Sequence, residues 1–190
     1  MAPPDTYRGT AFFNWFADDG NSVAAPFYGG YLAALALADS DNIVATDDGN
    51  SSYAQYVLYK RGKPSKVVLI NTDYFSGNGT RSTTTFSLKG LKNGRVKAIR
   101  MTAPSSEVTT TLAQTNPAQE PRIAGKRSLE IPQTHATFVE FSRSKLTPTG
   151  QYFSNRDCKI RGSENFESAQ VTKGAVTFTL AASEALIVYL

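Results

Sequence analysis

The chain has few of the residues that build metal and thiol sites, since its 190 residues include one cysteine and one histidine. Cys158 alone cannot form an internal disulfide or a thiolate-rich metal centre. A catalytic thiol needs an activating base, but His135 lies in a different segment, with no recognisable motif around either residue. The sequence therefore predicts no metal ion, no cofactor and no thiol chemistry.

Long apolar runs are also lacking. The most apolar stretch, residues 24–38, is shorter than the roughly 20 residues that a membrane-spanning helix needs, and it contains Pro26, Gly29 and Gly30. The first six residues have neither the basic start nor the apolar run of a secretory signal. We expect no transmembrane segment, and the localisation of this chain stays open.

The positive charge is dispersed, although the net charge is +4 and the isoelectric point is about 9.2. Its densest group lies across one turn and one strand-like segment, and comprises Lys89, Lys92, Arg95, Lys97 and Arg100. A nucleic-acid surface would combine a basic stripe with stacking aromatic residues. We predict a solvated strand face here, and no DNA or RNA partner.

The first 38 residues have a different secondary-structure pattern from the rest of the chain. Residues 7–16 have the pattern of a buried strand, and residues 26–38 that of a helix that is apolar on all sides. Such a helix is expected to be covered all round, and no other segment looks able to cover it. We therefore expect residues 6–38 to belong to a larger structure and, in this chain, to be loosely docked, sticky or oligomer-forming.

From residue 39 onwards the pattern is that of short strands separated by turns. The strand-like segments are residues 53–60, 66–71, 81–88, 96–101, 175–180 and 184–190. Residues 61–64 predict a hairpin, the apolar run at 66–71 predicts a strand covered on both faces, and the last two strands are predicted to form a closing pair. Many short strands with turns between them predict a mainly β fold, an antiparallel sandwich or open barrel.

Gly9-Thr10 with Phe12, and then residues 26–29 and 32–36, resemble the last strand and helix of the catalytic barrel in family 79 glycoside hydrolases, the fungal β-glucuronidase group. The segments similar to its C-terminal β domain are residues 67–71, 100–104 and 176–186. The resemblance implies a remnant of a (β/α)8 barrel at 1–38 and an accessory β-sandwich at 39–190.

One segment, at about residues 128–161, has no counterpart in that resemblance. It contains the only cysteine and the only histidine, with a plausible strand at 136–141. Without it, residues 125–127 would run directly into residues 162–164, which is closer to the family's sequence. We interpret the segment as an insertion, either a natural loop or translated intron sequence.

A catalytic site is not expected in this chain. A retaining glycosidase needs two carboxylates about 5 Å apart, and the resemblance implies that both glutamates come from earlier barrel strands. Neighbouring acidic residues occur at Glu164 and Glu167, Asp18-Asp19 and Asp47-Asp48. Acidic residues in turns ordinarily cap the backbone or contact water, so we predict surface turn chemistry and no catalytic residue.

Three functions are compatible with these features. The first is a non-catalytic accessory β domain of a β-glucuronidase-like hydrolase, present here as a truncated or incomplete gene product, with the catalytic barrel as its partner. The second is a stand-alone carbohydrate-binding sandwich, whose stacking face would use Tyr53, Tyr56, Tyr59, Tyr74 and Trp15. An active glycosidase is the least favoured.

Two tripeptides fit the acceptor pattern for N-glycosylation, Asn50-Ser51-Ser52 and Asn78-Gly79-Thr80. Both lie in turn-rich stretches that we expect to be exposed. They make Asn50 and Asn78 candidate glycosylation sites and hint at a secreted parent enzyme.

Overall fold

The computed structural model of the chain describes residues 25–49, 51–103, 105–106, 151–153 and 159–190. The helix is α1 (Ala25–Leu37), and the strands are β1 (Asn42–Ala45), β2 (Tyr53–Lys60), β3 (Lys63–Asn71), β4 (Thr83–Lys89), β5 (Gly94–Met101), β6 (Tyr152–Phe153), β7 (Ile160–Arg161), β8 (Glu167–Val171), β9 (Ala175–Ala181) and β10 (Glu184–Tyr189). In these ranges no helix is long and apolar enough to cross a membrane. The strands predicted at 7–16 and 136–141 lie outside the described residues.

The predicted antiparallel sandwich is confirmed. A six-stranded sheet has the order β1-β2-β3-β10-β5-β8, and it packs on a two-stranded sheet of β4 and β9, while β6 and β7 form a separate pair. The core between the first two sheets is a cluster of buried apolar side chains: Val67, Leu69, Phe86, Val96, Ala98, Val171, Val176, Phe178, Leu180, Leu186 and Val188. These strands and sheets confirm the predicted mainly β fold class.

The two central strands of the large sheet are covered on both faces. In β3, Val67 and Leu69 face the small sheet, while Val68 belongs to a second apolar cluster on the opposite face. β10 follows the same rule, since Leu186 and Val188 point inward while Ile187 points the other way. The prediction for residues 66–71 is confirmed, and continuous apolar runs are what such strands require.

The predicted hairpin at 61–64 is also confirmed, with β3 beginning at Lys63. Arg61 and Gly62 both have positive φ, 54° and 72°. Positive φ at both central residues is the signature of a type I′ turn, whose twist matches that of the flanking strands.

The predicted pairing of the last two strands is wrong. β9 pairs with β4, whereas β10 lies between β3 and β5 in the other sheet. Only Ala182 and Ser183 separate them; Ala182 is fully buried, and Ser183 has a φ of 60°, so the chain crosses the sandwich here. The outward threonines of β9 need solvent on one face, while β10 is apolar on both faces and needs a central position.

The expectation that no other segment covers α1 is wrong for one side of the helix. Leu32 and Ala36, one helical turn apart, pack against the outer face of the large sheet, which presents Leu58, Val68, Ala185 and Ile187. The doubly apolar strands β3 and β10 supply this second apolar face. α1 is thus a third layer, covered by the sheet on one side.

Candidate functional site

The side of α1 turned away from the sheet is exposed and apolar. It presents the exposed side chains of Ala33, Ala34 and Leu37, and the exposed fraction of Leu37 is 50%. Ile43 of the neighbouring edge strand β1 is 48% exposed and lies opposite Leu58 in the β1–β2 register, so it is on the same side of the sheet as α1. We call Ala33, Ala34, Leu37 and Ile43 the α1–β1 surface.

Lys66 of β3 holds the C-terminal end of α1. Its Nζ donates hydrogen bonds to the carbonyl oxygens of Ala36 at 2.8 Å and Leu35 at 3.2 Å, and also to that of Ala38. The last carbonyls of a helix lack partners within the helix and carry the negative end of its dipole, so an ammonium group satisfies both. Lys66 therefore ties α1 to the central part of the sheet.

Burial at this position lowers the pKa of Lys66. The neighbouring carboxylate of Asp39 opposes that effect, and the positive charge of Lys60 adds to it. Asp39 is also in ion-pair distance of Lys60, at 3.5 Å, with both side chains largely in solvent. The arrangement stabilises a helix end.

The N-terminal half of α1 is covered by Phe153 of β6. Its ring makes edge-to-face contacts with Phe27, Tyr28 and Tyr31 at centroid separations of 4.7, 5.3 and 5.0 Å. The backbone N–H of Phe153 also donates to Tyr28 Oη at 3.1 Å. Edge-to-face packing is a favoured aromatic geometry, so part of the segment at 128–161 is packed on the helix.

Two tyrosines beside α1 are harder to ionise than usual. Burial raises the pKa of Tyr31 and of Tyr189, and in both cases the negative charge of Glu164 raises it further. Tyr189 also packs edge-to-face on Phe166, with ring centroids 6.1 Å apart. These phenols stay protonated and serve as packing groups.

Glu167 and Glu184 are engaged in structural contacts. Arg100 donates to both carboxylate oxygens of Glu167, at 3.0 and 3.3 Å, and to Glu184 at 2.8 Å. Glu184 also accepts from Thr102 Oγ1 at 2.7 Å and from the N–H of Ala181 at 2.9 Å. One guanidinium thus bridges the two carboxylates, and both serve as structural partners of Arg100.

This network also joins the two sheets of the sandwich. Arg100 lies in the large sheet, and its guanidinium donates to the carbonyl of Thr179 in the small sheet at 3.1 Å. The side chains of Arg100 and Glu184 are only 13% and 12% exposed. Sequence reasoning singled out Glu167 but missed Glu184, because the contacts join residues 84 positions apart.

Asp47 and Asp48 have the turn chemistry that the sequence predicts. Asp47 accepts from the N–H groups of Gly49 at 3.0 Å and Gln55 at 2.8 Å, and Asp48 accepts from Ser51 Oγ at 3.1 Å. Asp18-Asp19, Cys158 and His135 lie outside the described residues. Within those residues, no cluster of three or more histidine, cysteine or acidic side chains is placed to hold a metal ion.

The four tyrosines considered for sugar stacking, all of them described by the structure, do not share one exposed face. Tyr53 packs edge-to-face on Phe86 at 5.6 Å inside the sandwich, while Tyr56 packs in the cluster beneath α1. Tyr59 is half-buried, and Tyr74 is 65% exposed. Trp15 lies outside the described residues. Phe166, 45% exposed, was not singled out from the sequence.

Of the two candidate glycosylation sites, Asn78 lies in an exposed loop between β3 and β4. Asn50 lies outside the described residues.

A family model and a solved structure both match this chain. The model of the glycosyl hydrolase family 79 C-terminal beta domain matches residues 55–187. A solved structure, a 4-O-α-L-rhamnosyl-β-D-glucuronidase from Fusarium oxysporum 12S as its Rha-GlcA complex, is 35% identical with a TM-score of 0.70. That match covers 94% of this chain and 32% of that chain, so this chain spans about a third of its length. Comparison with curated proteins finds no match.

Proposed function

The chain belongs to the family of glycosyl hydrolase family 79 C-terminal β domains, and from that membership we propose that it is the non-catalytic accessory domain of a β-glucuronidase-like hydrolase. The resemblance noted in the sequence is confirmed by the family match and by the likeness to a solved glucuronidase. The proposed physical role is to pack against a catalytic (β/α)8 barrel and to stabilise it. We propose that the intact enzyme is secreted.

The observation that carries this proposal is the α1–β1 surface. Its exposed side chains are apolar, and α1 is already anchored on its other side by the sheet and by Lys66. Ala33 and Ala34 are small enough for another element to approach the helix closely. An exposed apolar patch beside a rigid anchor is typical of an interaction site, and interdomain interfaces commonly bury roughly 600–1,500 Å².

The proposed division of labour follows from the chemistry of glycoside hydrolysis. The reaction needs two carboxylates about 5 Å apart in unlike environments. In this chain Glu167 and Glu184 are both paired with Arg100 and support the sandwich. We infer that strands of the catalytic barrel supply the catalytic pair of the intact enzyme.

The experiment is a domain exchange. A chimera would replace the matched third of the Fusarium enzyme with this chain. It would be compared with the chain alone and with a barrel alone that keeps residues 1–38 of this chain and lacks residues 39–190. We expect turnover of an aryl β-glucuronide or of the rhamnosyl glucuronide only from the chimera. Saturable turnover by the chain alone, removed by a glucuronidase inhibitor, would contradict the proposal, as would a barrel alone that is as stable and active as the chimera.

Carbohydrate binding is the second candidate, and exposed Tyr74 and Phe166 are the observation that favours it. Titration of the chain with glucuronic acid oligosaccharides and a glycan array tests it. Saturable binding that is lost in Tyr74→Ala or Phe166→Ala, and retained in Tyr53→Phe, would replace the structural role with a lectin-like one.

A further inference from the structure

The loop between β3 and β4 has an exposed tip at residues 76–80. β3 belongs to the large sheet and β4 to the small one, so the loop passes from one sheet to the other. Asn78 lies between Gly77 and Gly79, whose φ angles are 97° and 80°. Glycine adopts these angles without strain, and the chain reverses here with Asn78 in solvent.

The base of the same loop is fixed. Phe75 and Ser106 are joined by two hydrogen bonds of 2.8 Å, one from the N–H of Phe75 to Ser106 Oγ and one from the N–H of Ser106 to the Phe75 carbonyl. Arg81 Nε donates to the carbonyl of Ala182 at 2.9 Å, and Ser183 Oγ donates to that of Asp73 at 3.0 Å. An exposed tip on an anchored base presents Asn78 without exposing the core.

We propose that Asn78 is a site of N-glycosylation in the secretory pathway, with a lipid-linked oligosaccharide as donor. The side-chain nitrogen of Asn78 attacks the anomeric carbon, the bond from that carbon to the lipid pyrophosphate breaks, and the pyrophosphate leaves with the electron pair. The nitrogen loses one proton to a base of the transferase. Thr80 supplies the hydroxyl that the acceptor pattern requires. This inference does not depend on the accessory-domain role.

The test expresses the full chain behind a cleavable leader in a yeast secretory host. Asn78→Gln and Thr80→Ala remove the acceptor, while Thr80→Ser keeps it and Asn50→Gln is the matched control at the other sequon. Glycan release in ¹⁸O water labels the aspartate formed from a glycosylated asparagine, which separates it from spontaneous deamidation at Asn78-Gly79. Translation with microsomes gives the same comparison without secretion.

We expect one glycan on the peptide that contains Asn78, lost in Asn78→Gln and Thr80→Ala and retained in Thr80→Ser and Asn50→Gln. The chain made in the cytosol should have the same urea midpoint with and without Asn78→Gln, because residues 76–80 are exposed. An unmodified Asn78 in chain exposed to the transferase, by either route, would overturn the proposal.

Discussion

The inner and outer faces of the six-stranded sheet are buried to different extents. The inner face meets the small sheet in a continuous apolar core, closed at one end by the Arg100 network. The outer face meets α1, and Leu37 of that helix and Ile43 of β1 are each about half exposed. The inner core is therefore formed within this chain, while the outer layer leaves exposed the α1–β1 surface that we propose as the contact with a barrel.

The largest expected effect comes from the inner face. Leu186 is fully buried between the sheets, so Leu186→Ala should lower the free energy of unfolding by about 4 kcal/mol. The matched change on the outer layer, Leu37→Ala, should change it by less than about 0.5 kcal/mol. Urea unfolding of both variants measures the difference, and equal losses would break the contrast.

The second largest loss of stability is expected from the Arg100 network, which joins the two sheets. Arg100→Met leaves Glu184 and Glu167 without their cation in a mostly buried position, which should lower the free energy of unfolding by about 3 kcal/mol. Arg95→Met, at an exposed position of the same strand, is the control. A loss no greater than that of the control would show that the network does not join the sheets.

The cover of α1 by Phe153 is expected to matter less, because it lies outside the main core. Phe153→Ala should lower the free energy of unfolding by about 2 kcal/mol and speed hydrogen exchange in α1 more than in β3. Exchange that is unchanged in α1 would show that Phe153 does not support the helix.

Lys66 offers a smaller and more local test. Lys66→Met keeps the aliphatic stem but removes three donated hydrogen bonds, and it should cost about 1 kcal/mol, with faster exchange confined to the end of α1. Lys97→Met, whose amine lies 5.6 Å from the ring of exposed Phe166, is the control. If Lys66→Met and Lys97→Met have the same free energy of unfolding and the same hydrogen exchange in α1, Lys66 does not anchor the helix.

The smallest effect is a pH dependence beside α1. The pKa values of Tyr31 and Tyr189 are raised in the folded state. The stability that these two protonated tyrosines contribute to the fold is therefore fully present below the ordinary tyrosine pKa of about 10. It is lost as the pH rises through the folded-state values, since the unfolded state releases these protons first. Urea midpoints at increasing pH should therefore fall more steeply for the chain than for Tyr31→Phe/Tyr189→Phe, and parallel curves would contradict this.

The strands and their burial could be predicted from the sequence, whereas the packing on the outer face of the six-stranded sheet could not. Alternation in β9 and the apolar run of β3 identify strands and their burial, because the side-chain period is local. Alternation does not say which sheet a strand joins, so the predicted β9–β10 pairing is wrong. The cover of α1 depends on β3 and β10 together, and the Arg100–Glu184 contact joins residues far apart in sequence. Such long-range contacts have no local signal.

The outer side of α1, as an interface with a catalytic barrel, can be tested by placing a charge on it. The measurement compares Leu37→Lys with Ser87→Lys, an exposed position on the small sheet, in the chain alone and in the barrel chimera. We expect both variants to leave the urea midpoint of the chain unchanged, while Leu37→Lys alone reduces the yield of active chimera about tenfold or more, as a loss of about 1.4 kcal/mol at the interface would. Equal yields of active chimera from Leu37→Lys and Ser87→Lys would contradict the interface.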